Sequence, residues 1–164
     1  MTNNQKQIQR ETRDWLLEYQ WCMTHAVTLT MKQYREITND KGMTTQTLTE
    51  DEARKNFRHF MNRLNRSMFG NSTRRLYVIP VLEGKATGKN LHYHCAFGNF
   101  REEMSQEEIA AAIHKAWYKT AFGNNEIKIK PVCTEGWIDY ITKEVGLGSA
   151  DNVDVGNMHI PDEE

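Results

Sequence analysis

Two helix-start signatures bracket the middle of the chain. Thr49-x-x-Glu52 and Ser105-x-x-Glu108 both have the form of a capping box, in which an N-cap hydroxyl and an acid three residues on satisfy each other's backbone donors. Behind the first, Phe57, Phe60, Met61, Leu64 and Met68 recur at three- and four-residue intervals until Gly70. Behind the second, Ile109, Ile113, Ala116 and Trp117 do the same until Gly123. Two strand-like runs lie between them, Leu76–Glu83 and Asn90–Gly98, joined by the loop Gly84–Lys89, and they read as a hairpin. A strand at His25–Met31 comes before the first helix, and a short one around Ile127 and Ile129 follows the second. Helical patterns at Asp14–Gln20 and from Thr134 through Val145 flank the whole, and the polar stretch Thr38–Thr47 with Gly42 reads as a loop. Strand, helix, strand, strand, helix, strand is the order of a split βαβ unit. The expected fold class is therefore α+β, an antiparallel sheet of four to five strands with packed helices.

Composition limits what such a unit can be. At 164 residues one domain is expected. The 38% apolar content supports a modest core, and no apolar run reaches the roughly 20 residues that a membrane span needs. The N-terminal stretch lacks the apolar segment of a secretory signal, so an intracellular protein is expected. Cys22, Cys95 and Cys133 form no CxxC pair and read as small buried hydrophobes. The net charge of -1 divides unevenly: five acids and no Lys or Arg follow Ala150, so residues 1–150 carry +4. Residues 1–13 are expected to be flexible, 14–148 to form the domain, and 149–164 to be an acidic, flexible tail. Between Ala53 and Arg75 stand Arg54, Lys55, Arg58, Arg63, Arg66, Arg74 and Arg75 with no acid among them. A solvated helix face and a phosphate-facing surface are both open readings of that run.

The chemistry concentrates elsewhere. Alternation along Asn90–Gly98 sends Leu91, Tyr93, Cys95 and Phe97 to one face and His92 and His94 to the other. Two imidazoles two residues apart on a strand can aim their nitrogens at one point, as metal binding requires. Glu83, at the end of the partner strand, is placed by the hairpin beside His92. Two imidazoles and a carboxylate leave coordination positions open, which suits Mg2+ or Mn2+ with substrate phosphate supplying further oxygens. On the last helix, Tyr140 and Lys143 are three residues apart at the edge of the stripe of Trp137, Ile138, Ile141 and Val145. A tyrosine hydroxyl, with an ordinary pKa of about 10, is a poor nucleophile. A nearby ammonium and a polarised phosphate are the aids that let it attack phosphorus.

His25-Ala-Val-Thr-Leu-Thr30, His92-Tyr-His94 and Tyr140-Ile-Thr-Lys143 together resemble, in order, the three motifs of the HUH endonucleases, and within them the Rep-type initiators of rolling-circle replication. The resemblance implies a ferredoxin-like HUH domain in which Glu83, His92 and His94 hold the divalent metal, Tyr140 is the nucleophile, and Lys143 assists it or contacts the phosphate. No second tyrosine stands near Tyr140, so a single-tyrosine mechanism is implied: nicking and joining of single-stranded or hairpin DNA at a replication origin through a 5′-phosphotyrosine. No P-loop pattern occurs, so a host helicase and polymerase are the expected partners. A monomer in a bacterial cytoplasm is expected, of phage or plasmid origin. Two rivals remain, a single-strand transposase of an insertion sequence and a non-catalytic nucleic-acid-binding module. The second gives no reason for Glu83, His92 and Tyr140 to occur together.

Overall fold

The computed structural model describes residues 1–148 and 152–162. Its α-helices are α1 (Asn3–Leu17), α2 (Glu50–Phe69), α3 (Gln106–Tyr118) and α4 (Glu135–Ile141). The strands are β1 (His25–Met31), β2 (Tyr34–Asn39), β3 (Gly42–Thr47), β4 (Tyr77–Glu83), β5 (His92–Gly98) and β6 (Gly123–Lys130). Four strands form one sheet in the order β4-β5-β1-β6, antiparallel at every step. β1 and β4 run parallel with β5 between them, which is the split βαβ arrangement expected from the element order.

Strand alternation gives the sheet two apolar faces. Val27, Leu29, Val78, Leu82, Tyr93, Cys95 and Phe97 face α2 and α3 and pack with Phe57, Phe60, Leu64, Ile109, Ile113 and Trp117. Burying one such large side chain contributes about 1.5–3 kcal/mol. Ile79, Val81 and Ala96 point the other way and pack with Leu16 of α1 and with Ile138, Ile141 and Val145 from α4 and the turn after it. The caps fall where the sequence puts them. Ser105 and Glu108 form a complete capping box, Thr49 accepts from the Glu52 backbone N–H, and Gly70 closes α2 in the left-handed region at φ 59°.

Three local expectations are corrected. Residues 1–13 do not lie outside the fold, since α1 begins at Asn3 rather than near Asp14. A Thr2–Gln5 capping box starts it, and Gln7 bonds Glu11 one turn on at 2.9 Å. Ile8, Leu16 and Leu17 then dock it on the second face of the sheet, a stripe too sparse to announce a helix in the sequence. Thr38–Thr47 is not a loop: it spans the end of β2 and all of β3, which pair from Tyr34↔Thr47 to Asn39↔Gly42. This ribbon is largely exposed, so it lacks the apolar alternation by which a half-buried strand is recognised.

The acidic tail is the third correction. Of residues 149–164, the described 152–162 run along the outer edge of β4. The Leu82 N–H donates to the Asn152 carbonyl at 2.7 Å, the Asp154 N–H to Pro80 at 2.9 Å, and Val78 and His159 exchange both backbone bonds. Asp154, 3% exposed, accepts from the Tyr93 hydroxyl at 2.8 Å and from Asn157 Nδ2 at 2.7 Å, with Arg54 at 4.0 Å. An acid counted as tail charge is thus a buried acceptor, and the edge of β4 is covered rather than open.

Candidate active site

β4 and β5 position the metal-type ligands through their register. Glu83 pairs with His92 across the hairpin and Val81 with His94, so all three candidate ligands rise from the α4 side of the sheet. Glu83 Oε2 lies 3.4 Å from His92 Nε2 and 3.2 Å from His94 Nε2, and the two Nε2 atoms are 3.2 Å apart. One ligand atom from each residue falls within 4.8 Å of the others. The far nitrogens are also engaged, His92 Nδ1 with the Asn90 carbonyl at 2.8 Å and His94 Nδ1 with Thr28 Oγ1 at 2.9 Å. A proton on each Nδ1 then leaves both Nε2 lone pairs directed at the carboxylate, which is how histidines are oriented toward a metal.

The fit to a cation is tested by Glu83 itself. Its carboxylate is 1% exposed, Oε1 has no hydrogen-bond partner, and Oε2 takes the donors of His92, His94 and Lys143. A buried anionic oxygen without a donor is costly, and a cation between it and the two imidazoles would satisfy it. Burial pushes the Glu83 carboxyl up, but the bonds from His92, His94 and Lys143 together outweigh it and bring its pKa down to about 2. Glu83 raises the pKa of His92 in turn, against the effect of burial. Glu83, His92 and His94 can therefore hold a divalent ion; a carboxylate oxygen with imidazole nitrogens suits Mn2+ or Mg2+ chemistry.

Tyr140 and Lys143 come to the same place from the other layer. Thr134 caps α4 by accepting from the Trp137 N–H, and Trp137 bonds the Cys95 carbonyl of β5 through its indole N–H at 3.0 Å. Trp137 stacks on Tyr140 with ring centres 5.5 Å apart and meets His94 edge-on at 5.4 Å. The Tyr140 ring stands 5.2 Å from that of His94 and is 47% exposed. Lys143 lies one turn on, past the end of α4. Its Nζ sits 3.7 Å from the centre of the Tyr140 ring and 2.8 Å from Glu83 Oε2. Gln9 of α1 donates to the Thr142 and Lys143 carbonyls at 3.2 and 2.8 Å and ties that turn down.

The structure thus brings Glu83, His92, His94, Tyr140 and Lys143 together. It does not bring the basic residues of α2 there. Arg54, Lys55, Arg58, Arg63 and Arg66 lie on a helix packed against the opposite face of the sheet. Arg54 and Arg58 reach Asp154 and Asn157 of the tail segment. Arg74 and Arg75 precede β4 at the end away from Glu83, with Arg74 bonded to Asn99 and placed over the Phe69 ring. His25 is also remote, bonded to Thr24 and Gln106 and paired in register with Phe97; burial lowers its pKa. Sequence reasoning left Thr28 and Trp137 without a role at the site. The signal for Thr28 was its alternation with Val27 and Leu29, which puts it on the histidine face. Trp137 read as core because its stacking partner is set by helix placement.

No curated protein and no solved structure matches the chain. Residues 24–146, from the start of β1 to just beyond Lys143, match the model of the replication-associated protein ORF2 family, and the match spans every element of the sheet and all five residues gathered here. The chain belongs to that family of replication-associated proteins.

Proposed function

We propose that the protein is a metal-dependent, site-specific single-strand DNA nickase and ligase that initiates rolling-circle replication through a covalent 5′-phosphotyrosine. The reading rests on one observation, an exposed Tyr140 ring 5.2 Å from the ring of His94, whose Nε2 faces a buried carboxylate and a second imidazole. A divalent ion held by Glu83, His92 and His94 would supply charge to polarise the scissile phosphate. Tyr140 Oη attacks phosphorus, the Oη–P bond forms as the P–O3′ bond breaks, the phenolic proton is lost, and the departing 3′ oxygen takes up a proton. Attack by a 3′-hydroxyl on the phosphotyrosine reverses the step and rejoins a strand. The phosphodiester energy is kept, so no nucleotide cofactor is consumed.

Trp137 fixes the nucleophile's ring by stacking and anchors α4 to β5 through the Cys95 carbonyl. Lys143 places an ammonium between Tyr140 and Glu83, where it can follow the developing charge once a phosphate enters. The substrate in this reading is single-stranded or hairpin DNA at an origin, with host helicase and polymerase acting on the freed 3′ end in a bacterial cytoplasm. No helix among the described residues is long and apolar enough to cross a membrane.

The test is a covalent adduct. Wild-type protein, an origin-bearing single strand and Mn2+ are expected to yield a DNA–protein species stable to denaturation, lost on chelation and absent in Tyr140→Phe. An adduct of undiminished yield in Tyr140→Phe would remove the nucleophile, and DNA binding without any adduct would leave a binding module.

A further inference from the structure

On the side of the molecule away from Tyr140, α2 and α3 lie against each other and leave a cleft of about 620 Å³ between them. Helical spacing makes it. Arg63 and Arg66 are three apart on α2, while Lys115, beside Ala112 and Ala116 on α3, is followed four residues later by Lys119 at the helix cap. The alanines have no bulk to fill the space, so they floor the cleft and the four long cationic side chains wall it.

All four cations are exposed, no acidic residue lines the cleft, and none of the four forms an ion pair among the described residues. Like charges at three- and four-residue spacing oppose helix formation and gain nothing inside the molecule to offset it. The surface is stable on these terms only at a cost that a polyanion would relieve. Asn62 and Ser67 at the same cleft add neutral hydrogen-bonding groups. A nucleic-acid backbone matches this pattern: repeated negative charge, hydrogen-bond acceptors, and no demand for an apolar pocket.

We infer that the α2–α3 cleft is a second DNA-binding surface, which holds the phosphodiester backbone of a DNA segment other than the one at Tyr140. It rests on the reading of the protein as a DNA-processing enzyme and adds a site on the opposite face. The sheet and a helix layer separate the two, so one short single strand at Tyr140 cannot occupy both. A longer substrate, or its duplex flank, passes round the molecule to reach the second face.

The experiment compares wild type, Tyr140→Phe and the quadruple variant Arg63→Gln/Arg66→Gln/Lys115→Gln/Lys119→Gln. Binding of a labelled duplex and of a labelled single strand of arbitrary sequence is measured by anisotropy across a salt series without metal. Wild type and Tyr140→Phe are expected to bind alike, while the quadruple variant loses about tenfold or more in affinity. Its salt slope for duplex should fall by roughly 0.9 for each phosphate contact removed. Arg63→Lys/Arg66→Lys, which keeps the charge, should retain binding, and coincident thermal unfolding of all variants separates loss of binding from loss of fold. Unchanged affinity and slope in the quadruple variant would overturn the inference. So would loss of self-association with DNA binding intact, which would assign the cleft to a second copy of the chain. Because binding is read without metal and without Tyr140, failure of the nickase reading shows separately, as absence of adduct in the assay above.

Discussion

Glu83 carries one carboxylate oxygen among three donors and the other among none, and this asymmetry governs the pH behaviour of the site. Its pKa of about 2 lies below the ordinary 4.5, so in chelator-treated protein its bonds stabilise the fold above pH 4.5 and are lost as pH falls toward 2. The difference corresponds to about 3 kcal/mol. His92 has the opposite sign: its raised pKa gives stabilisation that is full below 6.5 and lost as pH rises through the elevated value. Urea unfolding of metal-free wild type against Glu83→Gln should therefore show the largest gap between about pH 4.5 and 6.5. Divalent-ion affinity should instead climb with pH through the His92 range, because the ion needs the Nε2 lone pair that a proton otherwise occupies. The candidate ligands were legible at this scale because strand alternation alone puts His92 and His94 on one face. The orphaned Oε1 was not, since it depends on which donors three separate segments bring to Glu83.

Among the elements, the segment 152–162 behaves as an added edge for β4. Its backbone bonds to Val78, Pro80 and Leu82 cover a strand that would otherwise expose unpaired groups. Asp154 links that edge to the core through Tyr93. In Asp154→Ala the buried Tyr93 hydroxyl loses its acceptor, and the expected destabilisation is about 1–3 kcal/mol by urea unfolding, with metal affinity little changed. An exposed tail would give no measurable change. The β4–β5 connection is equally specific. Gly84 has φ 114°, and a Cβ there would collide with the Asn90 carbonyl oxygen. Only glycine lets the chain turn directly after Glu83 and keep that residue opposite His92. Caps, apolar stripes and the hairpin could be read from the sequence because they obey local periodicities. α1, the β2–β3 ribbon and the tail strap could not, because each is held by partners far away in the chain.

Across the molecule, the sheet separates two tasks. The α4 face gathers the ligands, the tyrosine and the lysine, while the α2–α3 face gathers unpaired cations, so a net charge of -1 coexists with a strongly basic surface. A divalent ion that bridges β4 and β5 should stabilise the entire fold by mass action. At about one hundred times its dissociation constant the gain is about 2.7 kcal/mol. For a chain of this size that corresponds to roughly 5–10 °C in Tm. Mn2+ should give this shift in wild type and not in Glu83→Gln, and an equal shift in both would place the ion elsewhere. Capping, periodicity and strand alternation act between residues close in the chain, and they are enough to specify the α+β order, the split βαβ pairing and the three ligand-type residues. They do not specify that Tyr140 and Lys143 close over those ligands, that the basic residues of α2 lie on the far face, or that an acidic tail residue is buried under Tyr93. Those outcomes depend on which layer each helix packs into and on which groups are left unpaired, and contacts between distant segments set both.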